Sequence, residues 1–317
     1  LRQSSNPFAG ARAPGLIQGR QELVANARST GSPTPRERGL IEAVANLYRS
    51  ADAGSQRERM LAYESAMGKL AATWPDDQEL SIFHALAITQ TAPPTDKSHA
   101  ELLRAAAILE PLFAKYPDHP GLAHYIIHSY DVPALAARAL DAAKRYAEIA
   151  PSAPHALHMP SHTFTRLGYW QDSIDTNIAS AAAARREGST AEELHAMDYQ
   201  TYAYLQLAQD RAARRMVLAL PEIQARFDPS RVASAAPGSA GVFAQAAIPA
   251  RYALERQAWS EAAALELRPS RFPQADAMTW FARGLGAAHT GDLAAARAAI
   301  DALQQLEAQL AKAGETY

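Results

Sequence analysis

From residue 37 onward, apolar residues recur every three or four positions and polar residues fill the gaps, the spacing of amphipathic helices. The pattern predicts a helix over Glu37–Tyr48, opened by Thr34-Pro35, and a second over Gln56–Trp74 that stops at Pro75-Asp76. Ahead of them, the stretch to about Pro35 is rich in Gly, Ser and Pro and carries one helical run at Leu16–Arg28. Beyond residue 76 the pattern becomes a rhythm of helix, turn, helix. It predicts pairs at 77–91 with 97–115, 120–130 with 133–149, and 154–167 with 170–186. Three more follow at 191–208 with 210–226, 240–256 with 259–267, and 276–289 with 292–313. Pro75, Pro117 and Pro151 each close a second helix, since proline cannot continue one. The turns TAPPTDKS (91–98) and RREGSTAEE (185–193) are longer than the rest, and PSRVASAAPGSAG (229–241) reads as a mobile loop.

Two histidine pairs, His124/His128 and His158/His162, are each spaced i, i+4. On a helix that spacing sets both imidazoles on one face, about 40° apart around the axis. The second pair follows the first by 34 residues at both members, and Pro151 follows Pro117 by the same 34. A repeat end, Gly168-Tyr169-Trp170-Gln171-Asp172-Ser173, recurs as Gly291-Asp292-Leu293-Ala294-Ala295-Ala296, with Trp280 and Gly284 upstream. This period and skeleton resemble the tetratricopeptide repeat (TPR), a helix–turn–helix unit stacked on its neighbours. The segments NPFAG, TAPPTDK, PDHPGLAHYIIHSYD and APSAPHALHMPSHTFTRLG resemble more closely an uncharacterised bacterial group of such proteins. The resemblance covers nearly the whole chain, and the histidine segments are its most specific part.

That resemblance implies an all-α fold: a right-handed TPR-like solenoid of about six helix pairs over residues 76–317, after an N-terminal helical segment at 1–75. Members of the group typically carry a further N-terminal repeat with its own histidines. The chain opens at Leu1 with no signal pattern, so that repeat is expected to precede it. Repeat positions 2, 5, 9, 12 and 13 of each first helix generally face the concave groove. With Gly168 at position 15, His155, His158 and His162 fall at positions 2, 5 and 9, and Arg166 at 13. The 34-residue offset carries His124 and His128 to positions 5 and 9 of the preceding repeat. With Ala208 at position 15, His195, Asp198 and Tyr202 fall at 2, 5 and 9. With Gln257 there, Arg251 and Glu255 fall at 9 and 13. Ionisable side chains of four successive first helices are thus expected on one inner surface.

This placement nominates His124, His128, His158, His162, His195 and Asp198 as metal ligands, and His155, Arg166, Tyr202, Arg251 and Glu255 as ligand-binding residues. Imidazoles with one carboxylate suit a borderline transition metal such as Zn, Cu or Fe, and paired histidines on facing helices are a common way to hold one. Asp131 either orients a histidine or ends its helix. Pro160, inside His158-Met159-Pro160-Ser161-His162, predicts a kink or a 3₁₀ start that re-aims His158. Histidines outside the pattern read as structural: His84 at a core-packing position, His119 at a helix start before Pro120, and His99 and His289 on the surface. Trp74, Trp170, Trp259 and Trp280 read as core.

Composition narrows the function. With no cysteine, thiolate metal sites, disulfides and Cys nucleophiles are excluded, and either cytoplasm or periplasm remains open. A net charge of −2 argues against a nucleic-acid or anionic membrane partner, and no apolar run reaches membrane-spanning length. Neither HYIIH nor HMPSH carries the glutamate of the zincin motif, and no phosphate loop, nucleophile elbow or dinucleotide fingerprint is visible. The expectation is a groove-binding TPR protein with a histidine-rich, metal-binding concave site that receives a peptide, protein or small molecule. Two alternatives stand beside it: a metal-dependent enzyme of hydrolase or oxygenase type, and a pH-sensitive peptide-binding scaffold.

Overall fold

The computed structural model describes residues 14–31, 34–49, 56–231 and 235–312. The NPFAG segment lies outside them. The described residues form helices and no strand, in two compact units covering residues 14–145 and 146–312. None of these helices is long and apolar enough to cross a membrane.

The N-terminal unit runs α1 (Pro14–Thr30), α2 (Pro35–Leu47), α3 (Gln56–Thr73), α4 (Gln78–Thr91), α5 (Ala100–Lys115) and α6 (Pro120–Ser129). Helix starts follow local chemistry. Thr34 and Glu37 form a capping box at α2, and Asp77 accepts the Leu80 N–H at α4 while also pairing with Arg36. His119 caps α6: its Nδ1 accepts the Leu122 N–H at 3.3 Å, so its Nε2–H donates to Glu79 Oε1 at 2.8 Å. The helix-start role expected of His119 is therefore the one it plays. Val24, Leu47, Tyr48, Tyr63, Met67 and Leu80 pack into one apolar cluster over α1–α4, with Trp74 at its margin. His84 is half-buried, and a Cβ on Gly68 of α3 would stand 2.9 Å from its Nε2.

After a 3₁₀ turn at Ala136–Ala139 comes α7 (Leu140–Ile149), so the helix expected to start at 133 winds tightly before becoming α-helical. The C-terminal unit continues with α8 (Pro154–His158), α9 (Pro160–Leu167), α10 (Trp170–Glu187), α11 (Thr190–Gln206) and α12 (Asp210–Ala225). It closes with α13 (Gly238–Glu255), α14 (Trp259–Ala263), α15 (Pro273–Thr290) and α16 (Leu293–Lys312). From α8 onward sequential helices pack as neighbours, and alternate ones also meet: α11 with α8 and α9, α13 with α11, α15 with α13.

Five of the turns share one geometry. Gly168, Gly188, Ala208, Gln257 and Gly291 all take the left-handed conformation, with φ of 77°, 66°, 54°, 54° and 83°. In each, the next residue's N–H reaches back five residues: Tyr169 to Phe164 O, Ser189 to Ala184 O, Gln209 to Tyr204 O, Ala258 to Ala253 O, and Asp292 to Ala287 O, at 2.8–2.9 Å. This is the Schellman closure, which satisfies carbonyls that a helix end leaves open.

Besides α7, four boundaries differ from the pattern. α5 starts at Ala100 rather than 97, behind His99 in the left-handed conformation (φ 55°). α14 stops at Ala263 rather than 267. The long loop expected over 229–241 is helical from Gly238; Pro237 supplies the extended N-cap, and a Cβ at Gly238 would stand 2.0 Å from the Pro229 carbonyl oxygen. α15 starts at Pro273, ahead of the expected 276, with proline in its first turn. It lies so close to α14 that a Cβ on Gly286 would stand 2.5 Å from the Trp259 carbonyl oxygen. The four tryptophans are partly buried at packing margins; Trp259 stacks on the exposed His289 with ring centroids 3.8 Å apart.

Candidate metal centre

Pro160 sets the local frame. It has no N–H to give to Ala156, and the helix parts into α8 and α9 at Met159. Met159 nevertheless stays right-handed (φ −53°, ψ −36°), its N–H bonds His155 O at 2.9 Å, and the His162 N–H bonds Met159 O at 3.1 Å. The i→i−3 step is the 3₁₀ start expected there. The chain therefore keeps its helical course, and His158 and His162 stay on one face with their Nε2 atoms 3.1 Å apart.

His195 arrives from α11, its ring centroid 4.3 Å from that of His158 and 6.4 Å from that of His162. One nitrogen from each of the three lies within 4.8 Å of the other two. Tyr199, one turn beyond His195, sets its ring against all three, with centroids 4.7, 5.1 and 5.4 Å from His158, His162 and His195. Its hydroxyl is 3.5 Å from His162 Nδ1. His158 is fully buried, whereas His162 and His195 keep partial exposure, so the cluster is open on their side.

The hydrogen bonds behind His158 fix its tautomer. Asn177, fully buried on α10, donates Nδ2–H to Ser173 O at 2.7 Å. Its Oδ1 is then the atom facing His158 Nδ1, at 2.7 Å, and an amide oxygen only accepts. Nδ1 therefore carries the proton and Nε2 holds a lone pair toward His162. Gln200 of α11 donates to the Asn177 main-chain carbonyl at 3.0 Å, and Ser161 donates to the His158 main-chain carbonyl at 2.7 Å, so the frame is tied on both sides.

Burial pushes the pKa of His158 well below the ordinary histidine value, with His195, His162 and His155 acting in the same direction. His195 is pushed down to about 4, again first by burial and then by His162. At neutral pH these rings are neutral and their lone pairs are available. Two imidazole nitrogens about 2.0–2.1 Å from one tetrahedral zinc are separated by roughly 3.4 Å, close to the spacing of the His158 and His162 pair. The donor set thus fits a borderline first-row ion with three histidine ligands and room for an exogenous fourth.

The other nominated residues fall into three groups. In the N-terminal unit, His124 and His128 of α6 are half-buried with Nε2 atoms 3.0 Å apart, and His124 stacks on Tyr125. Around the C-terminal triad, the His155 ring centroid is 6.3 Å from that of His158, and its Nδ1 is 3.4 Å from Glu192 Oε1. Glu192 also accepts the Ala236 N–H at 2.8 Å, tying the segment before α13 to α11. Asp198 stands apart from the imidazole group: its buried carboxylate accepts Arg251 Nε at 2.9 Å. Arg251 lies over the Tyr202 ring, and Tyr202 meets Trp170 edge-on. Arg166 and Glu255 are exposed at the ends of α9 and α13.

Tyr199, Asn177 and Glu192 are the site residues that the repeat register did not nominate. Tyr199 was within reach of the i, i+4 rule that found the histidine pairs, being four residues after His195. Asn177 offered only the signal of a poor helix former inside a helix. No known protein-family profile and no curated protein matches the chain.

Proposed function

We propose that this chain is a TPR-like helical-repeat protein that binds a transition metal ion on His158, His162 and His195 and reads a ligand in the groove beside it. The observation that carries the metal is the convergence of three imidazole nitrogens within 4.8 Å, with His158 held as a lone-pair donor by Asn177. Imidazole ligation suits Zn, Cu or Fe. The repeat assignment is supported by the left-handed closures at Gly168, Ala208, Gln257 and Gly291 and by the meeting of alternate helices from α8 onward. In such scaffolds the surface formed by successive first helices is where a peptide, protein or small molecule is held.

One observation favours a metal-dependent enzyme as the second reading. Three histidines leave a coordination position for water or substrate, on the side where His162 and His195 reach solvent and the Tyr199 hydroxyl stands nearby. A hydrolase or an oxygenase would use that position. Elemental mass spectrometry of untagged protein beside the H158A/H162A variant tests the metal. Near-stoichiometric metal that disappears in the variant supports the site and names the ion. Absence of metal in both, even after incubation with Zn, Cu and Fe salts, overturns it.

A further inference from the structure

A metal ion on His158, His162 and His195 meets ligands that carry no charge. Carboxylates on the adjoining faces are already engaged. Asp198 accepts Arg251 Nε at 2.9 Å, so that pair is neutral as a whole. Glu192, fully buried one turn before His195, accepts the Ala236 N–H and stands 3.4 Å from His155 Nδ1. A divalent ion on neutral imidazoles brings two positive charges, and Glu192 offsets one. His155 in either protonation state adds no negative charge. The remaining positive charge lies beside His158 and Asn177, both buried, where uncompensated charge is costly.

We propose that the open position of this centre takes a carboxylate, so that the ligand read by the site is a monoanionic acid bound through the metal. The inference rests on the metal reading above. Approach is from the partly exposed edges of His162 and His195, since the Tyr199 ring lies against all three imidazoles. The same chemistry is offered by a small organic acid and by the C-terminus of a peptide.

Cobalt(II) is the probe, because its visible bands shift when a ligand is exchanged. The full chain is loaded with Co²⁺ near neutral pH in carboxylate-free buffer, then titrated with acetate and separately with acetamide. Acetate is expected to move the bands with an affinity at least about tenfold above that of acetamide. Glu192→Gln removes the outer negative charge and is expected to tighten acetate binding several-fold, a direction that loss of a merely structural contact would not produce. A short peptide with a free C-terminus, compared with its amidated form, identifies the source. Tighter binding than acetate by the free form alone assigns the carboxylate to a chain end, and binding no tighter than acetate assigns it to a small acid. Cobalt bands that ignore acetate, or respond equally to acetamide, overturn the carboxylate while leaving the metal site standing. Unchanged acetate affinity in a folded Glu192→Gln protein overturns the charge argument. Failure of the native chain to bind cobalt overturns the metal reading itself.

Discussion

Asn177 and His158 form a hydrogen-bonded unit sealed from water, and the lone pair on His158 Nε2 depends on it. Asn177→Ala removes the acceptor, frees the tautomer and leaves the buried Nδ1–H to find another partner. Metal affinity in a competitive chelator titration is expected to fall about 10–100-fold, the usual effect of losing such an outer hydrogen bond. An unchanged affinity would show that His158 is held by its other neighbours. Protonation acts on the same cluster. The folded His195 titrates at about 4 against an ordinary value of 6.5, so below 6.5 the unfolded chain takes up the proton first. Stability of the metal-free protein is therefore complete above pH 6.5 and falls as the pH drops toward 4. The slope is up to about 1.4 kcal/mol per pH unit for each such histidine. His158, shifted in the same direction, steepens the loss. Urea unfolding at a series of pH values measures this, and His195→Asn is expected to flatten the slope between 6.5 and 4. Equal slopes in the two proteins would contradict the account.

Helix ends offer a cleaner test of the repeat register than the helices do. Gly168 and Gly291 can take a positive φ without penalty, whereas Ala208 and Gln257 take the same conformation with a Cβ that resists it. Both of the latter are exposed, so no packing term competes. Ala208→Gly and Gln257→Gly are each expected to stabilise the protein by up to about 1 kcal/mol, the relief of strain exceeding the added freedom of the unfolded chain. Gly168→Ala is expected to cost about 1 kcal/mol. A Cβ there meets nothing nearer than Trp170 Nε1 at 3.9 Å, so this loss is conformational rather than steric. Denaturant midpoints of the three variants decide it, and a destabilised Ala208→Gly would refute the shared closure. Residue type alone would have marked only the glycines; the repeat register located Ala208 and Gln257 as their equivalents. One boundary that escaped the pattern depends on a contact outside its helix: Gly238 opens α13 where the Pro229 carbonyl comes up against it.

On the scale of the molecule, local periodicity made the helices and the histidine faces legible, because i, i+4 spacing is a property of one helix. What escaped were pairings between helices distant in sequence. Arg251 claims Asp198 from 53 residues away, and Asn177 reaches His158 from 19 residues away on another helix. Such contacts depend on how neighbouring helices pack, which spacing within one helix does not encode. The same dependence makes metal binding a measurable event beyond its ligands. His158, His162 and His195 lie on α8, α9 and α11, and α10 supplies Asn177, so an ion binding the folded arrangement joins four helices of the C-terminal unit. Binding to the folded chain alone stabilises it by about 4 kcal/mol when free metal stands 1,000-fold above Kd. Amide exchange followed by mass spectrometry is expected to slow over residues 154–206 on metal addition, with little change in α15 and α16, whose side chains touch no ligand. In H158A/H162A the slowing is expected to vanish. Slowing spread evenly over the chain, or persisting in that variant, would mean that the ion binds elsewhere and that the three imidazoles converge for packing alone.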